Sequence, residues 1–483
     1  PAAAKVLADI AAQRRAKAYP KANPPSWDNS AGLPPVGDQG AQGSCVSWTT
    51  GYYMKTYQEA KEHAWSLTDL AHQFSPRFIY NQIQGFDEGS TYEGNLKVLV
   101  DQGCASLLDE PYVDTDYLTF PTAQSYKNAI PFRAQRFQYL GNGETYQVFD
   151  AVKALVSSGD VIGVGIPIYR PSSSQYGRFD HLVSGDDQYE MPDDADVFLA
   201  GYHAVTIIGY DETRFGGTGG YKIVNQWGTG WGTQGFAWLS ERFLTSFGFG
   251  FYRMTDRVAY QPTGMVHWRV QHPFWAWNYD NVTVTVGIGS TTAPSWSKVM
   301  VTGLERESLT IDMWFDITEA DAYLPPSWTN RWWIRISDSS TEDQATLTIA
   351  SVEFDGDTFS AGSVLPLLGP FRGGNSLVVY IPVGESPSNN YYINDAYSPA
   401  SDVYCTAEGD DANDGLTPAR PKRNLQSLLD LYTLKAGDVV WIDRGTYSLS
   451  SDIGITYLVR GAAGSPITFK GVQLPNGEPA TAF

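Results

Sequence analysis

Residues 224–239 read VNQWGTGWGTQGFAWL. An apolar run that begins at Tyr221 stops at Asn225, and a glycine-rich loop leads to a second run from Phe236. That is the pattern of a strand, a tight loop and a further strand. An Asn at a strand end can turn its side-chain oxygen to an imidazole N–H and hold the ring in one orientation. Trp227 is placed to shield such a bond from water. Read alone, Asn, Trp and glycines are ordinary loop chemistry, so the meaning of the stretch depends on whether the chain supplies an imidazole and a group for it to act on.

Working outward, residues 201–212 read GYHAVTIIGYDE. His203 opens an apolar strand bounded by Gly201 and Gly209. A His at a strand edge can reach across a cleft and serve a thiol as general base; a satisfied structural His is the plainer reading of the segment alone. Residues 34–62 read PPVGDQGAQGSCVSWTTGYYMKTYQEAKE. Val46, Thr50, Tyr53 and Tyr57 recur at helical spacing, so Cys45 falls at a helix N-terminus behind a Gly-rich loop. The helix dipole and free N–H groups there favour an anion and predict a lowered thiol pKa. Gln39, on the same loop, can donate to an oxyanion forming above the sulfur. An ordinary buried cysteine remains the alternative for this segment taken alone.

Together the three segments resemble the papain-like cysteine peptidases, through QGAQGSCVSW, YHAVTIIGYD and VNQWGTGWGTQGFAWL in the family's order. FSPRFIYNQI (74–83) and LKVLVDQGCASLLDEPY (96–112) resemble the family's intervening helices. The resemblance implies an α+β peptidase with a cleft between a helical half and a β-barrel-like half. It implies Cys45 as nucleophile, His203 as acid–base, Asn225 as its orienter and Gln39 as oxyanion donor. Ala204 and Val164 are then expected to line an apolar substrate pocket, with Trp227 beside them. The chain departs from the family signature at two places: Gln42 stands where a disulfide Cys is usual, and Val46 where an aromatic is usual. Inserts explain the long spacings: 181–201 before His203 and 212–220 before Asn225. His181 is the rival base but lacks a following strand. His63, His72, His267 and His272 read as structural or solvated.

The chain has 483 residues and a formal charge of −20. That length predicts several domains, and that sign argues against nucleic acid or an anionic membrane as partner. No run is long and apolar enough to span a membrane. Three Cys cannot form a disulfide scaffold, and Cys104 and Cys405 read as buried or incidental. The 15 Trp and 29 Tyr suit β-rich extracellular domains. The expected location is secreted or cell-surface.

The expected organisation is an N-terminal arm or propeptide remnant (1–26), the peptidase domain (27–256), a β-sandwich (257–383), a linker (384–402) and the start of a right-handed parallel β-helix (403–483). Val282, Val284 and Val286, then Trp332, Ile334 and Ile336, then Leu347 and Ile349, then Leu377, Val379 and Ile381 alternate with period two, which predicts the sandwich. VQHPFWAWNYDNVTVTVGIG (270–289) and WTNRWWIRISDSSTEDQATLTIASVEF (328–354) faintly resemble the jelly-roll domain of proprotein convertases. Residues 403–447 resemble the N-terminal cap of pectate-lyase-like β-helices, and GSPITFKG (464–471) resembles the next rung. About two rungs are too few for a stacked core, so a continuation is expected.

No cofactor is expected, with Ca²⁺ as a secondary possibility at three places: Asp186, Asp187, Glu190, Asp193, Asp194 and Asp196; Asp338, Glu342 and Asp343; and the loop GDDANDG (409–415), where an Asx turn is the plainer reading. The expected function is a cysteine endopeptidase acting on protein or peptide, with β-rich modules for binding or anchoring to polysaccharide or a cell surface. The alternative is a carbohydrate-binding or adhesive β-helix protein whose peptidase domain serves maturation or release. A catalytically dead scaffold is disfavoured by the presence of all four site residues.

Overall fold

The computed structural model describes residues 23–83, 87–145, 147–174, 177–190, 197–272, 283–301, 309–323, 332–337, 346–354, 357–360, 376–381, 390–432, 434–447, 453, 464–474 and 478–482. The N-terminal arm up to residue 22, Asp193, Asp194, Asp196, Val282, Asp338, Glu342 and Asp343 lie outside them. The chain divides into two compact units, Pro1–Gln261 and Pro262–Phe483. Among the described residues no helix is long and apolar enough to cross a membrane.

In the first unit, strand β1 (Ser26–Asp28) precedes a helical run that begins at the nucleophile candidate. Helix α1 (Cys45–Ser47) continues into a π-helical stretch, Trp48–Lys55, and then into α2 (Thr56–His63). The wider winding shows where the Thr56 N–H reaches back to the Gly51 carbonyl. The spacing predicted one apolar face, yet up to Tyr57 the run is buried on every side: Val46, Trp48, Thr50, Tyr53, Met54, Lys55 and Tyr57 are all buried. It is therefore the core of its half rather than a surface helix. Helices α3 (Pro76–Ile83) and α4 (Tyr92–Asp101) belong to the same half. Gly51 is needed for the close approach of α3, because a Cβ there would lie 2.6 Å from the Ile79 side chain. Buried Lys55 pairs with Glu59 at 2.5 Å and with Asp256, which ties the helical run to the sheet half.

Helix α5 (Ala123–Ala129) leads to the sheet half. Its elements are β2 (Ala134–Gly141), α6 (Val148–Ser157), β3 (Ile162–Pro171), β4 (Gln188–Tyr189), β5 (Val197–Asp211), β6 (Gly220–Val224), β7 (Phe236–Ser240), α7 (Glu241–Phe247) and β8 (Phe249–Asp256). The strands join in the order β2-β8-β3-β5-β6-β7-β4, with β1 beside β5. Among the described residues β2 pairs with β8 and β4 with β7, so the sheet is open where a barrel-like half was expected. Val148, Ala151, Val152 and Leu155 of α6 share one core with Val164, Val205, Ile207, Tyr221 and Ile223 of the sheet. This apolar contact fixes β3, β5 and β6. Register then places the polar residues: Gly165 faces Ala204, Ile166 faces His203, and Thr206 faces Val224. Strand β6 runs out there, so Asn225 emerges beside the start of the buried part of β5.

The second unit holds two four-stranded antiparallel sheets, in the orders β11-β10-β13-β16 and β12-β9-β14-β15. The strands are β9 (Gly264–His272), β10 (Thr283–Gly289), β11 (Pro294–Val301), β12 (Leu309–Asp316), β13 (Trp332–Ser337), β14 (Thr346–Phe354), β15 (Asp357–Ser360) and β16 (Ser376–Ile381). The period-two reading matches the described positions: Val284, Val286 and Ile288 are buried and lie opposite Ile336, Ile334 and Trp332. Trp268, Trp332 and Trp333 are buried rather than displayed. Residues 384–402, expected as a linker, contain strand β17 (Asn390–Ile393), because Tyr391 and Ile393 alternate into an apolar cluster. It pairs in parallel with β18 (Val439–Ile442), which pairs in parallel with β20 (Thr468–Gly471); β19 (Gly445–Thr446) and β21 (Thr481–Ala482) form a second parallel pair. Helix α8 (Leu425–Leu431) contributes Leu425, Leu428 and Leu429 to that cluster. In the loop 409–415 Asp410 accepts from the Ala412 N–H and Asp414 from the Leu416 N–H, which are Asx turns.

Candidate active site

Cys45 is the first residue of its helix and is partly exposed, whereas the residues around it are buried. The backbone N–H groups of Ala204, Val46 and Cys45 itself lie near enough to the sulfur to favour its thiolate. Burial is the larger effect and pushes the thiol up, so the expected lowering at a helix N-terminus is reversed. The hydroxyls of Tyr80 and Tyr92 are near enough that a thiolate would repel their ionised forms. Cys104 and Cys405 are buried, and all three cysteines are free thiols.

Ala204, whose N–H meets the sulfur, follows His203 in the chain. His203 is buried, and its Nε2 lies 2.8 Å from Asn225 Oδ1. Burial lowers its pKa to about 4, against the opposing effects of the Asn225 bond and the Asp180 charge. Asn225 Oδ1 also accepts from the Gln226 N–H at 2.9 Å, so the amide is oriented from two directions. Trp227 covers the imidazole with ring centres 4.5 Å apart and planes 32° apart, which is the shield its position suggested. Tyr53, from the helical half, donates to the Asn225 carbonyl at 2.8 Å.

Gln39 is carried to the same place by backbone pairing across the halves. Its N–H donates to the Gln226 carbonyl at 2.8 Å, and the Gly228 N–H donates to the Gly37 carbonyl at 3.0 Å. Its side-chain amide donates to the Gln42 carbonyl at 2.8 Å. Gly43 can only be glycine here, since a Cβ would lie 2.9 Å from the Gly89 nitrogen.

The structure therefore assembles Gln39, Cys45, His203, Ala204, Asn225 and Trp227. It does not bring Val164 with them. Strand alternation turns Val164, paired with Val205, into the core under α6, and the strand rung at Cys45 is Gly165–Ala204. His181 is exposed at the end of a short helix, Phe179–His181. His63 and His72 both stack on one ring, Trp65, and His267 stacks on Trp314 while bonding Asp312. Sequence reasoning missed Gln226, whose Nε2 donates to the Ala204 carbonyl at 2.8 Å, and Tyr112, which contacts the loop before Cys45. Adjacency to Asn225 was a signal for the first; no local signal marked the second.

Among the described residues, convergent metal-ligand atoms occur at Glu59, Glu62 and His63, at the far end of the helical run from Cys45. Lys55 already neutralises Glu59 there. In the acidic insert Asp186 pairs with Arg178 at 2.8 Å and Asp187 accepts from Thr233 at 2.6 Å.

Residues 23–248 match the family model described as papain family cysteine protease. No curated protein sequence matches the chain. Among solved structures the chain is similar to xylellain, a cysteine protease from Xylella fastidiosa, at 24% identity over 49% of this chain and 87% of that one, with a TM-score of 0.40. It is similar to the bromelain protease from Ananas comosus in complex with the E64 inhibitor, at 16% identity over 48% and 100%, with a TM-score of 0.37. It is also similar to the proform of the ragweed cysteine protease Amb a 11, at 17% identity over 50% and 69%, with a TM-score of 0.38. By this match, residues 23–248 are similar to the papain family cysteine proteases, a family of hydrolases.

Proposed function

We propose that the chain is a cysteine endopeptidase in which Cys45 is the nucleophile, His203 the general acid–base, Asn225 the group that orients the imidazole, and Gln39 an oxyanion donor. The observation that carries this reading is the meeting at one point of the Cys45 sulfur, the N–H of the residue after His203, and the His203–Asn225 bond. With Nε2 held by Asn225, Nδ1 is the nitrogen left for the thiol. The thiol proton passes to Nδ1, and the thiolate attacks the peptide carbonyl. The Gln39 amide and the Cys45 N–H hold the resulting oxyanion. The imidazolium then protonates the leaving amine, and water, deprotonated by the imidazole, hydrolyses the thioester. Burial opposes both charges of the ion pair taken separately. Their mutual attraction, about 4 kcal/mol at roughly 4 Å and an effective dielectric near 20, offsets much of that cost, and the N–H groups at the sulfur add to it.

Ala204 and Trp227 border the bound peptide beside the scissile bond. For the second unit the proposal is a binding or anchoring role at a polysaccharide or cell surface of a secreted protein. Its parts are read as a β-sandwich over 257–383 and the first turns of a parallel β-helix over 403–483. The in-register parallel pairing of β17, β18 and β20 supports the second of these.

The test is labelling of the intact chain with a thiol-directed epoxide, mapping of the modified residue, and hydrolysis of a peptide substrate. Cys45 is the expected adduct, and Cys45→Ala is expected to lose at least about 10⁴-fold in turnover with its melting temperature unchanged. Equal turnover in the two proteins, or an adduct on Cys104 or Cys405, removes this function.

A further inference from the structure

The loop from Gln39 to Ser44 carries the oxyanion donor into the nucleophile, yet it holds two glycines, Gly40 and Gly43, with Gly37 just before it. Gly40 has a positive φ of 61°. Such a loop has little stiffness of its own. Papain-like peptidases usually have a disulfide cysteine at the position of Gln42, and here no covalent tie exists.

A single hydroxyl stands in its place. Tyr112 Oη donates to the Gln39 carbonyl at 2.8 Å and lies 2.8 Å from Ser44 Oγ and 3.2 Å from Gln42 Oε1. A phenol has one proton and two lone pairs. The proton goes to the Gln39 carbonyl, and the Ser44 hydroxyl donates back to the phenol oxygen. Gln42 Nε2 extends the same network to the carbonyls of Val113 and Asp114, at 3.4 Å each. The Tyr112 ring packs edge-on against Trp48 at 4.8 Å, one turn into the helix that Cys45 begins. Tyr112 thus touches the chain on both sides of Cys45. From the opposite side Asp87 Oδ1 accepts from the Gly43 N–H at 2.8 Å and from Tyr80 at 2.6 Å.

We propose that the Tyr112 hydroxyl is a positioning group for peptide hydrolysis: it fixes the Gln39–Ser44 loop so that the Gln39 amide and the Cys45 N–H stay at one spacing above the sulfur. The inference rests on Cys45 as nucleophile and Gln39 as oxyanion donor. Burial pushes the phenol above its ordinary range, so it remains a protonated donor at the pH of the reaction. The hydroxyl touches no reacting atom. Its effect appears only where the oxyanion is held, and a displacement of about 1 Å there costs on the order of 10²-fold.

Tyr112→Phe keeps the ring on Trp48 and removes only the hydroxyl. In the full chain, kcat for a peptide substrate is expected to fall about 10- to 100-fold with KM within about twofold. Affinity for a peptide aldehyde, which forms an oxyanion-like adduct, is expected to fall with kcat. Alkylation of Cys45 by iodoacetamide, which forms no oxyanion, is expected to stay within about threefold. The double variant with Gln39→Ala is expected to lose less than the product of the two single losses, because part of the Tyr112 effect acts through Gln39. Unchanged kcat in Tyr112→Phe, an equal fall in alkylation, or multiplicative losses in the double variant would each overturn the proposal. If Tyr112→Phe does not fold, Gln42→Leu loosens the same loop, and the same pattern, or its absence, decides. Failure of the underlying reading looks different: iodoacetamide then labels a residue other than Cys45, or Cys45→Ala keeps its turnover.

Discussion

Asp443 and the His203–Asn225 pair are both buried polar centres, one in each unit, and they are completed to different degrees. Asp443 Oδ1 accepts from the N–H groups of Val403 and Arg444, and Oδ2 from those of Tyr404 and Cys405, all within 2.6–2.8 Å. Every oxygen is used, and the carboxylate organises the turn of chain that leads away from β17. Around His203 the accounts stay open. Asn225 Nδ2 and Gln39 Oε1 are buried without a partner, and the Cys45 sulfur is met by N–H groups that suit a thiolate better than a thiol. A buried polar centre that is saturated builds structure. One left short of partners costs stability and keeps capacity for a substrate. The contrast can be broken at either end.

The larger expected effect is at the saturated end. Asp443→Ala strands four backbone donors with no replacement acceptor, and at about 1 kcal/mol for each the second unit is expected to lose about 4 kcal/mol. Hydrogen exchange at Tyr404 and Cys405 would report the loss, while kcat on a peptide should be unchanged. A loss below about 1 kcal/mol would mean that the turn is held by other contacts, among them the Tyr447 hydroxyl on the Asp443 carbonyl.

The open centre predicts a pH dependence instead. His203 has a folded pKa of about 4 against an unfolded value of 6.5. Below pH 6.5 the unfolded chain takes up a proton that the folded one refuses. Stability is therefore complete above pH 6.5 and is lost as pH falls toward 4, by about 3 kcal/mol in all. Cys45→Ala isolates this effect, because no thiol can share a proton with the ring. Its urea midpoint is expected to fall between pH 6.5 and 4, and Cys45→Ala with His203→Gln to lack that slope. In the wild type the thiolate–imidazolium pair holds the same single proton as thiol and neutral ring, so a slope of the same sign is expected there too. A Cys45→Ala midpoint that does not change from pH 6.5 to 4 would mean that the folded chain protonates His203 as readily as the unfolded one.

The same contrast explains what could be read from the residues alone. The strands beside His203 and Asn225 and the position of Cys45 follow from local pattern: a glycine loop before a helix, an apolar run after a histidine, an asparagine where a strand ends. The alternation at Val284 and Val286 and at Trp332, Ile334 and Ile336 was legible for the same reason. Four features depend on contacts distant in sequence and were not legible. Val164 was assigned to the substrate side, but register with Val205 turns it to the core. The helix after Cys45 was assigned one face, but packing in its half buries it from Val46 through Tyr57. The lowered thiol pKa follows from a helix terminus in water, whereas the depth of the site decides its sign. β17 fell in a stretch whose Ser, Pro and Asn content resembles a linker, and only its pairing with β18 makes it a strand.

The smallest of these effects is also the most specific to an incomplete centre. Removing the side chain in Asn225→Ala leaves His203 Nε2 with a different neighbour, Gln226 Nε2 at 3.4 Å. Asn225 Oδ1 accepts, so it selects the tautomer with a proton on Nε2 and a bare Nδ1 toward the thiol. An amide Nε2 donates, so it selects the opposite tautomer and puts the proton on Nδ1, where it blocks transfer from Cys45. The expected loss in kcat for Asn225→Ala is about 10²-fold, from tautomer and orientation together. The fold should survive, since the Tyr53 hydroxyl holds the Asn225 carbonyl rather than its side chain. Adding Gln226→Leu removes the competing donor, and the double variant is expected to recover part of that loss. If the double variant is slower than Asn225→Ala alone, Gln226 serves the site through the Ala204 carbonyl it holds, and the tautomer argument fails.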